Sequence, residues 1–587
     1  MEIKVGLASC GLAAGAGAIY DGIKDYISSK GLDIELKKTA CIGMCFAEPI
    51  IEITTDDGKN ITYGRLTDAD IAPIIDSCLQ NNPLLEKAIL SPDYDCPEND
   101  NKASQTRIVL RNAGRIDPES IDEYLENDGY KSLEKVLKEM TPEEVIKEIK
   151  DSGLRGRGGA GFSTGLKWQF AWQNESDKKY VICNADEGDP GAFMDKGILE
   201  GDPHSVIEGM LICAYTIGAD EGYVYCRAEY PLAVRHLKKA IADATERGYI
   251  GDNIFGSDFC FDLHIKEGAG AFVCGEETAL IGSIEGKRGM PNLRPPFPAK
   301  SGLWGKPTNN NNVETYGNIP WIILHGASEY RKYGTETCAG TKAFALAGKI
   351  RNSGLIEVPM GTPLRKVIYG VGGGMKFDKP FKAVQLGGPS GGCIPEHLLD
   401  TPVEYETILK TGAIMGSGGM VVMDSDTCMI DIARFFLNFT QNESCGKCTF
   451  CRIGTKRMLE ILNRITRGEG VLEDIDTLDK LAHQIIDTSL CGLGKSAPNP
   501  VLTTIKYFRE EYIAHIVDKK CPAGVCTALL KYTIDAGKCV GCTACARKCP
   551  ADAITGKVKQ VHVIDQDKCI KCGACYEACR FDAVVKV

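Results

Sequence analysis

The spacing of apolar and polar residues changes along this chain and predicts several kinds of element. Apolar runs at 3–7, 34–37 and 50–54 predict strands, and a helix-forming stretch separates the first two. Residues 106–335 combine buried-strand patterns, helical periods and many glycines. Short apolar strands with turn glycines occupy 340–425, and helical periodicity returns at 426–515. The chain is therefore expected to be multidomain, of mixed α/β and α+β class.

The changes in pattern also predict the domain boundaries. Residues 81–105 are rich in Pro, Asn and Asp, which suits a linker. The expected order is an N-terminal α/β unit (1–80), the linker (81–105), a large α/β domain (106–335), a small β-rich domain (336–425), a helical domain (426–528) and a cysteine-rich module (529–587).

The cysteine-rich module contains two matched runs of the form C-x2-C-x2-C-x3-C, beginning at Cys539 and at Cys569. This spacing binds two [4Fe–4S] clusters, and the fourth cysteine of each run ligates the cluster of the other. Zinc sites and disulfides are the alternatives, but zinc is usually bound by paired cysteine or Cys/His sets. The predicted ligand sets are Cys539, Cys542, Cys545 and Cys579 for one cluster, and Cys569, Cys572, Cys575 and Cys549 for the other.

Composition excludes some classes of function. The net charge of −11 argues against a nucleic-acid surface, which needs a basic face. No apolar run reaches the roughly 18 residues of a membrane span, so no integral membrane segment is expected. The first residues lack the apolar core of a signal peptide, and 27 cysteines without one indicate a reducing cytoplasm and metal binding.

Glycines and polar groups recur in the large α/β domain. Residues 154–162 contain a G-x-G-x-x-G, and Lys167 lies just beyond, where it could meet a phosphate. A flexible turn is the alternative interpretation of these glycines. A polar cluster at 184–191 follows a predicted strand, which is where open α/β sheets bind ligands. Residues 268–278 again place glycines beside carboxylates, and 309–312 are four asparagines.

Two further cysteine groups lie in the helical domain. Cys445, Cys448 and Cys451 offer three thiolates, so a fourth ligand must come from elsewhere. His515, Cys521 and Cys526 predict a structural zinc site. Its fourth ligand is left open between His483 and Cys428, and buried unligated thiols are the alternative.

These motifs, together with residues 444–452, resemble the FMN- and NADH-binding flavoprotein subunit of respiratory complex I over about residues 106–515. The N-terminal unit and the two-cluster tail resemble the B subunit of multimeric [FeFe]-hydrogenases, including electron-bifurcating ones. A similar subunit serves some NAD(P)-linked formate dehydrogenases. The resemblance implies a thioredoxin-like N-terminal domain, a Rossmann-like FMN/NAD(P) domain, a β-grasp (SLBB) domain, a helical [4Fe–4S] domain and a ferredoxin domain.

The resemblance also implies roles for particular residues. Those expected at FMN are Gly156, Gly158, Gly159, Lys167, Asn184, Asp186, Glu187, Gly275, Glu276, Asn311 and Asn312. Those expected at the nicotinamide cofactor are Phe162, Phe170, Asp189, Glu277, Arg294 and Phe297. Cys491 matches the fourth ligand of the Cys445 cluster. Complex I has glutamate at Asp189 and lysine at Arg294, and the arginine leaves NADP(H) open because it binds phosphate bidentately.

The N-terminal unit resembles a thioredoxin-like [2Fe–2S] domain, which normally offers four cysteines. Only Cys10, Cys41 and Cys45 are in register, and Gly15 lies where a fourth would be. Either a different residue completes the site or the domain has lost its cluster.

The expected function is electron transfer between NAD(P)(H), FMN and iron–sulfur clusters. The flavin converts two-electron into one-electron chemistry, and no side chain need act as acid or base. Expected partners are a catalytic hydrogenase or formate dehydrogenase subunit, a small [2Fe–2S] subunit and ferredoxin, in a hetero-oligomer. The alternatives are a complex I subunit and a non-catalytic electron relay that has lost its flavin.

Overall fold

The computed structural model describes residues 1–586, apart from the side chains of residues 102 and 103. It forms two compact units. The first comprises residues 1–422 with 490–493, and the second comprises 423–489 with the chain from 494 onward.

The first unit begins with a five-stranded mixed sheet of order β2-β1-β3-β4-β5. Strand β1 is parallel to β2 and antiparallel to β3, and Ile3, Val5 and Ile53 are buried in its core. Its elements are β1 (Glu2–Gly6), α1 (Ser9–Ala14), α2 (Ala16–Lys30), β2 (Glu35–Thr39), β3 (Ile51–Thr54), β4 (Asn60–Tyr63), α3 (Asp68–Leu79) and β5 (Ala88–Leu90).

The segment 81–105 is not the plain linker that its composition predicts. Ala88, Ile89 and Leu90 are buried and form β5, which pairs with β4 at the edge of the sheet. A short helix, α4 (Asn99–Ala103), follows. The polar residues around this three-residue strand mask it in the sequence, because the strand is too short to show an alternating pattern.

The large α/β domain is built on a four-stranded parallel sheet of order β8-β7-β6-β9. Its elements are α5 (Ile121–Glu126), α6 (Lys131–Glu139), α7 (Pro142–Asp151), α8 (Thr164–Trp172), β6 (Tyr180–Ala185), α9 (Met194–Gly201), α10 (Pro203–Ile217), β7 (Glu221–Arg227), α11 (Pro231–Glu246), β8 (Asp262–Gly268), α12 (Glu277–Ile284), β9 (Thr308–Asn312), α13 (Val313–His325) and α14 (Ala327–Tyr330). Strand β6 has β7 on one side and β9 on the other, so the strand order reverses there. Ligands of open α/β sheets bind at such a switch point.

A second five-stranded sheet, of order β11-β10-β14-β12-β13, follows in the first unit. Its elements are β10 (Thr341–Gly348), β11 (Gly354–Pro359), β12 (Phe381–Leu386), β13 (Gly392–Pro395), α15 (Tyr405–Thr411) and β14 (Gly419–Asp424). Lys342 of β10 forms an ion pair with Glu314 of α13, and both side chains are fully buried. This pair connects the second sheet to the switch-point domain.

The second unit contains a helical core followed by a small tail. Its helices are α16 (Met429–Asn442), α17 (Thr455–Thr466), α18 (Glu473–Thr488) and α20 (Asn499–Ile516), and the short α19 (Gly492–Ser496) has its first two residues in the first unit. The tail contains β15 (Tyr532–Ile534), α21 (Ala544–Lys548), β16 (Ile554–Thr555), β17 (Val563–Ile564), α22 (Ala574–Glu577) and β18 (Val584–Lys586), paired as β15–β18 and β16–β17. In the described part of the chain, no helix has both the length and the apolar character needed to cross a bilayer.

We expect the buried ion pair to contribute more to the stability of the fold than an exposed ion pair does. Lys342→Met leaves the Glu314 carboxylate buried without its cation, which typically costs about 3–5 kcal/mol. Lys147→Met is the matched control, because Lys147 pairs with Asp151 while their side chains are 75% and 51% exposed. We expect a drop of several degrees in the apparent Tm for Lys342→Met and almost none for Lys147→Met, measured by circular dichroism. Equal Tm values for the two variants would contradict this assignment.

Candidate functional site

The glycine loop, residues 154–162, lies against the carboxyl end of β9, beside the switch point. The Arg157 backbone N–H donates to Thr315 Oγ1 at 2.9 Å. A Cβ added at Gly158 would lie 3.0 Å from Asn312 Cβ. Glycine therefore allows a close approach that a larger residue would hinder, and it leaves backbone N–H groups beside the sheet edge.

The side chain of Arg157 holds this loop in place. Its guanidinium is fully buried and donates to the carbonyls of Ala339 at 2.8 Å and Thr341 at 3.0 Å. From the second sheet's domain, Tyr405 donates its hydroxyl to the Gly156 carbonyl at 2.8 Å. The sequence suggested either a phosphate loop or a flexible turn, and these contacts show a loop that is fixed at Gly156 and Arg157.

At the carboxyl end of β6, two of the predicted flavin residues have structural partners. Asn184 donates its amide to the Gly275 carbonyl at 2.9 Å. The Glu187 carboxylate accepts the first three backbone N–H groups of α9, at 2.8, 3.1 and 3.1 Å. Burial nevertheless raises the pKa of Glu187 to about 7. Glu187 thus caps α9, a role that sequence spacing did not reveal.

Two predicted acidic residues flank this position. Asp186 is buried at the end of β6, and its backbone N–H donates to Asn184 Oδ1 at 3.1 Å. Asp189 is half-buried and accepts a hydrogen bond from Ser417 Oγ at 2.8 Å. Burial raises the pKa of Asp189 to about 6. Asp189 therefore contacts the second sheet's domain, which was not expected of a nicotinamide-site residue.

Charged residues from three segments meet beside α12. Lys167 pairs with Glu277 at 2.9 Å, and Arg294 pairs with Glu277 at 2.9 Å and also with Glu276. Burial acts to raise the pKa of Glu277, but Lys167 and Arg294 outweigh it and hold the pKa below its ordinary value. Glu276 also caps α12 through backbone N–H groups at 2.9 and 3.1 Å. The structure thus joins predicted FMN residues and predicted nicotinamide residues in one charge network.

The predicted aromatic residues are exposed near this network. The rings of Phe162 and Phe170 are 51% and 48% exposed, and their centroids are 6.4 Å apart. Phe297 is 57% exposed. Large apolar rings at a polar site offer flat faces on which a planar ligand can stack.

The asparagines of β9 differ in their hydrogen bonding. Asn311 Oδ1 accepts from Trp168 Nε1 at 2.9 Å and from Asn309 Nδ2 at 2.7 Å, so it is already engaged. Asn312 Oδ1 accepts the first-turn N–H of Glu314 at 3.0 Å. The buried Oδ1 atoms of Asn309 and Asn310 have no hydrogen-bond partner among the described residues. The sequence singled out all four asparagines, but the family resemblance assigned only Asn311 and Asn312 to FMN, and alternation along β9 places Asn310 on the same face as Asn312.

These observations fit a bound FMN. The loop glycines allow the backbone to pack closely against the sheet edge, Lys167 supplies a positive charge, and Asn310 offers a buried acceptor that a heteroaromatic N–H or a ribityl hydroxyl could satisfy. Buried polar groups without a partner are rare in proteins, so the Asn310 oxygen supports a ligand at this edge.

In the second unit, the tail cysteines surround two small cavities. One cavity is lined by Cys539, Cys542, Cys545 and Cys579, and the other by Cys549, Cys569, Cys572 and Cys575. Each cavity therefore joins three cysteines of one run to the last cysteine of the other run. Apolar side chains such as Ile534 line the first, and Ile554 and Ile564 line the second.

The other predicted cluster cysteines lie among the helices. Cys445 and Cys448 precede the short helix Phe450–Gly454, and Cys451 lies within it. The Ser444 hydroxyl lies 3.3 Å from Cys451 Sγ. Cys491 follows α18 and belongs to the first unit, so its place in this ligand set stays a prediction.

A compact group of metal-ligand side chains lies in the helical core. The ligand atoms of Cys428, His515, Cys521 and Cys526 all lie within 4.8 Å of one another, and all four residues are buried. His515 Nδ1 lies 2.8 Å from the Glu511 carbonyl, which orients the ring with Nε2 toward the thiols. Of the two candidates for a fourth member, the structure brings in Cys428, while the His483 side chain is 61% exposed and lies beside Asp479.

Comparison with known proteins agrees with this architecture. Residues 149–321 match the Nuo51 FMN-binding domain, residues 431–515 match the NADH-ubiquinone oxidoreductase-F iron-sulfur binding region, and residues 531–580 match a 4Fe-4S dicluster domain. A chain in the crystal structure of NAD+-reducing [NiFe]-hydrogenase in the air-oxidized state superimposes with a TM-score of 0.62 and 30% identity, covering 88% of this chain and 85% of that one.

Sequence relatives extend this result. The NADP-reducing hydrogenase subunit HndC of Solidesulfovibrio fructosivorans is 61% identical over 458 residues, which are 78% of this chain and 93% of that one. An F-type subunit of NADH-quinone oxidoreductase from Rhizobium meliloti is 44% identical over 415 residues, 71% of this chain and 99% of that one.

Fold and site together define an oxidoreductase subunit that contains an FMN-binding domain and [4Fe–4S] domains. The chain belongs to the family of flavoprotein subunits that includes the F-type subunits of NADH-quinone oxidoreductase and the hydrogenase subunit HndC. The family resemblance predicted from the sequence is confirmed, and so is electron transfer between NAD(P)H, FMN and iron–sulfur centres.

Proposed function

We propose that this chain is the nicotinamide-oxidising or nicotinamide-reducing flavoprotein subunit of a cytoplasmic, ferredoxin-linked hydrogenase. The observation that supports this most directly is the fixed glycine loop beside the β6–β9 switch point, with Lys167 and exposed phenylalanines around it. The 61% identity to a hydrogenase subunit supports the hydrogenase assignment. The 27 free thiols support a reducing cytoplasm.

At this site, the protein binds and orients its ligands. When bound, FMN exchanges two electrons with a nicotinamide and one electron at a time with a cluster. The loop N–H groups at Gly158 and Gly159 would hold the phosphate, and Lys167 would add a charge-assisted hydrogen bond, whereas the Gly156 N–H donates to the Phe162 carbonyl at 2.8 Å and so stabilises the loop itself. Asn310 joins the remaining predicted FMN residues as an acceptor. Phe162, Phe170 and Phe297 would offer exposed ring faces on which the nicotinamide could stack.

The charge network bears on the choice between NAD(H) and NADP(H). Arg294 is paired with Glu276 and Glu277, which reduces its attraction for the additional phosphate of NADP(H). The NADP-reducing relative indicates that this family also includes enzymes that use NADP(H). We therefore assign Arg294 and Glu277 as the pair that sets this preference.

The ligand sets of the three [4Fe–4S] clusters are also proposals. The two cavities of the tail support the crossed sets, in which Cys579 joins the Cys539 run and Cys549 joins the Cys569 run. Cys445, Cys448 and Cys451 with Cys491 are proposed for the third cluster, and the matched iron–sulfur region spans all four. For the two five-stranded mixed sheets of the first unit, we propose the thioredoxin-like and β-grasp assignments respectively.

Lys167 provides the test of the flavin site. Lys167→Met removes a charge-assisted hydrogen bond to phosphate, typically about 1.5–3 kcal/mol, so FMN affinity should fall on the order of 10- to 100-fold. Lys150→Met is the control, because Lys150 is an exposed lysine nearby that donates to Gln169 Oε1 at 3.0 Å. Acid-released FMN per chain and FMN titration give the readout. Unchanged FMN affinity in Lys167→Met would contradict the site, and loss in both variants would indicate a general defect.

Electron bifurcation is proposed from the hydrogenase relationship and from the two-cluster tail, which provides an outlet for single electrons. In the purified complex with its catalytic subunit, anaerobic hydrogen evolution should require NADH and reduced ferredoxin together. Gas chromatography measures the product. Hydrogen evolution from NADH alone would contradict bifurcation, and a co-purifying formate-oxidising subunit would overturn the hydrogenase assignment.

The buried Cys428, His515, Cys521 and Cys526 group is proposed as a structural zinc site. Three thiolates and one imidazole match the ligands of closed structural zinc sites, and such sites stabilise the fold directly. We expect no redox role, because zinc has none.

The two candidates for the fourth zinc ligand can be compared directly. Cys428→Ser should lower the zinc content of the full chain strongly and lower its Tm, because it removes one of four ligands. His483→Ala should leave both unchanged, because His483 is exposed. Inductively coupled plasma mass spectrometry and thermal unfolding give the two readouts. Full zinc content in Cys428→Ser, or loss in His483→Ala, would contradict the assignment.

A further inference from the structure

A series of buried hydrogen bonds connects the helix after the glycine loop to the asparagine strand. Trp168 of α8 is fully buried, and its indole N–H donates to Asn311 Oδ1 at 2.9 Å. The Asn309 side-chain amide donates to the same oxygen at 2.7 Å and to the Tyr316 hydroxyl at 3.2 Å. The Tyr316 hydroxyl in turn donates to the Ile182 carbonyl of β6 at 3.1 Å. The series therefore joins α8, β9, α13 and β6.

The two ends of this series fix the direction of every hydrogen bond in it. An indole N–H can only donate, and a backbone carbonyl can only accept. The Tyr316 hydroxyl gives its one hydrogen to the carbonyl, so it accepts from Asn309, which must present its nitrogen. Trp168 requires the oxygen of Asn311 on its side. Rotating either amide by half a turn would bring like groups together, so the chemistry determines both amide orientations.

Asn309 is held in this orientation at a cost to stability. Its own Oδ1 is buried and has no hydrogen-bond partner among the described residues. A buried acceptor without a hydrogen bond destabilises a fold, and an apolar residue at this position would leave no such atom. Core stability alone therefore does not explain an amide at position 309, whereas the second hydrogen bond to Asn311 Oδ1 does.

The result of the two bonds is a donor of fixed direction at Asn311. Because Trp168 and Asn309 hold its oxygen, the N–H groups of Asn311 point away from them. Nδ2 of Asn311 has no acceptor among the described residues, and it is not one of the polar atoms sealed from solvent. Asn312 differs, because its Nδ2 bonds Asp195. Asn311 is the fourth of the five residues of β9, so it presents this donor near the carboxyl end of the strand.

We propose that Trp168 is a positioning residue of the flavin site: with Asn309, it holds the Asn311 amide so that its N–H groups donate to a carbonyl of the isoalloxazine ring. The charge of Lys167 suits a phosphate, whereas a neutral amide donor suits a ring carbonyl. This inference rests on the proposed FMN site and specifies the chemistry of its ring-binding part. Reduction adds electron density to the ring carbonyls, so this hydrogen bond raises the reduction potential of bound FMN.

The test uses the full chain loaded with FMN that carries ¹³C at C2 or at C4 of the ring. Infrared difference spectra between oxidised and reduced protein identify each carbonyl, and loss of a hydrogen bond raises its stretching frequency. Trp168→Phe removes the N–H donor and keeps an aromatic ring in the core. Trp172→Phe is the matched control, because Trp172 lies on the same helix and packs half-buried against the same core.

We expect one carbonyl band to move to higher frequency in Trp168→Phe. FMN affinity should fall about 2- to 10-fold, as for the loss of one neutral hydrogen bond, and the midpoint potential of FMN should become more negative. Trp172→Phe should match wild type. Asn311→Leu should move the same band, and adding Trp168→Phe to it should have no further effect, because the two residues act through one interaction.

An unchanged carbonyl band in Trp168→Phe, or equal shifts in the two tryptophan variants, would overturn the proposal and leave the flavin site intact. Additive shifts in the double variant would overturn it as well, because Trp168 would then act independently of Asn311. A wild-type chain that binds no FMN would overturn the flavin site and this inference together. If Trp168→Phe does not fold, Asn309→Ala removes the other donor and should move the same band; an unchanged band there would overturn the proposal.

Discussion

The fixed position of the glycine loop is the constraint on which the flavin site depends. Loop glycines give access to backbone N–H groups, but the same freedom would let the loop move. The buried guanidinium of Arg157 removes that freedom by bonding carbonyls that lead into the second sheet. Tyr405 adds a contact from the same domain, and the buried Lys342–Glu314 pair joins this domain to α13. The β-rich domain is therefore part of the support of the site.

Several carboxylates near the site have a structural role in addition to any role in ligand binding. Glu187 caps α9 and Glu276 caps α12, so each satisfies N–H groups that a helix start would otherwise leave unpaired. Glu277 and Arg294 are paired in the structure, and partial burial of Glu277 strengthens the interaction between the two charges. A ligand entering here meets an electrostatic network that is already formed, which limits the reorganisation that binding requires.

Motifs local in sequence were the ones that sequence analysis described best. The cysteine runs, the glycine loop and the parallel-sheet pattern depend on short spacings, and family models match the same regions. Residues whose role depends on distant partners were missed or left open. Asn310 showed no local sign of its buried oxygen, and Cys428 lies 87 positions before His515. Strand β5 was hidden because three residues show no period.

By itself, the sequence determined the class of the protein, because thiolate spacing and glycine loops are chemical requirements of iron–sulfur and phosphate binding. The periodicity of its hydrophobic residues also determined the mixed α/β architecture. Only the tertiary structure decided which residues far apart in the chain lie together. Folding brought Cys428 to His515 and Tyr405 to the glycine loop. Such contacts arise from packing between segments far apart in the chain, and local sequence pattern contains no information about those distances.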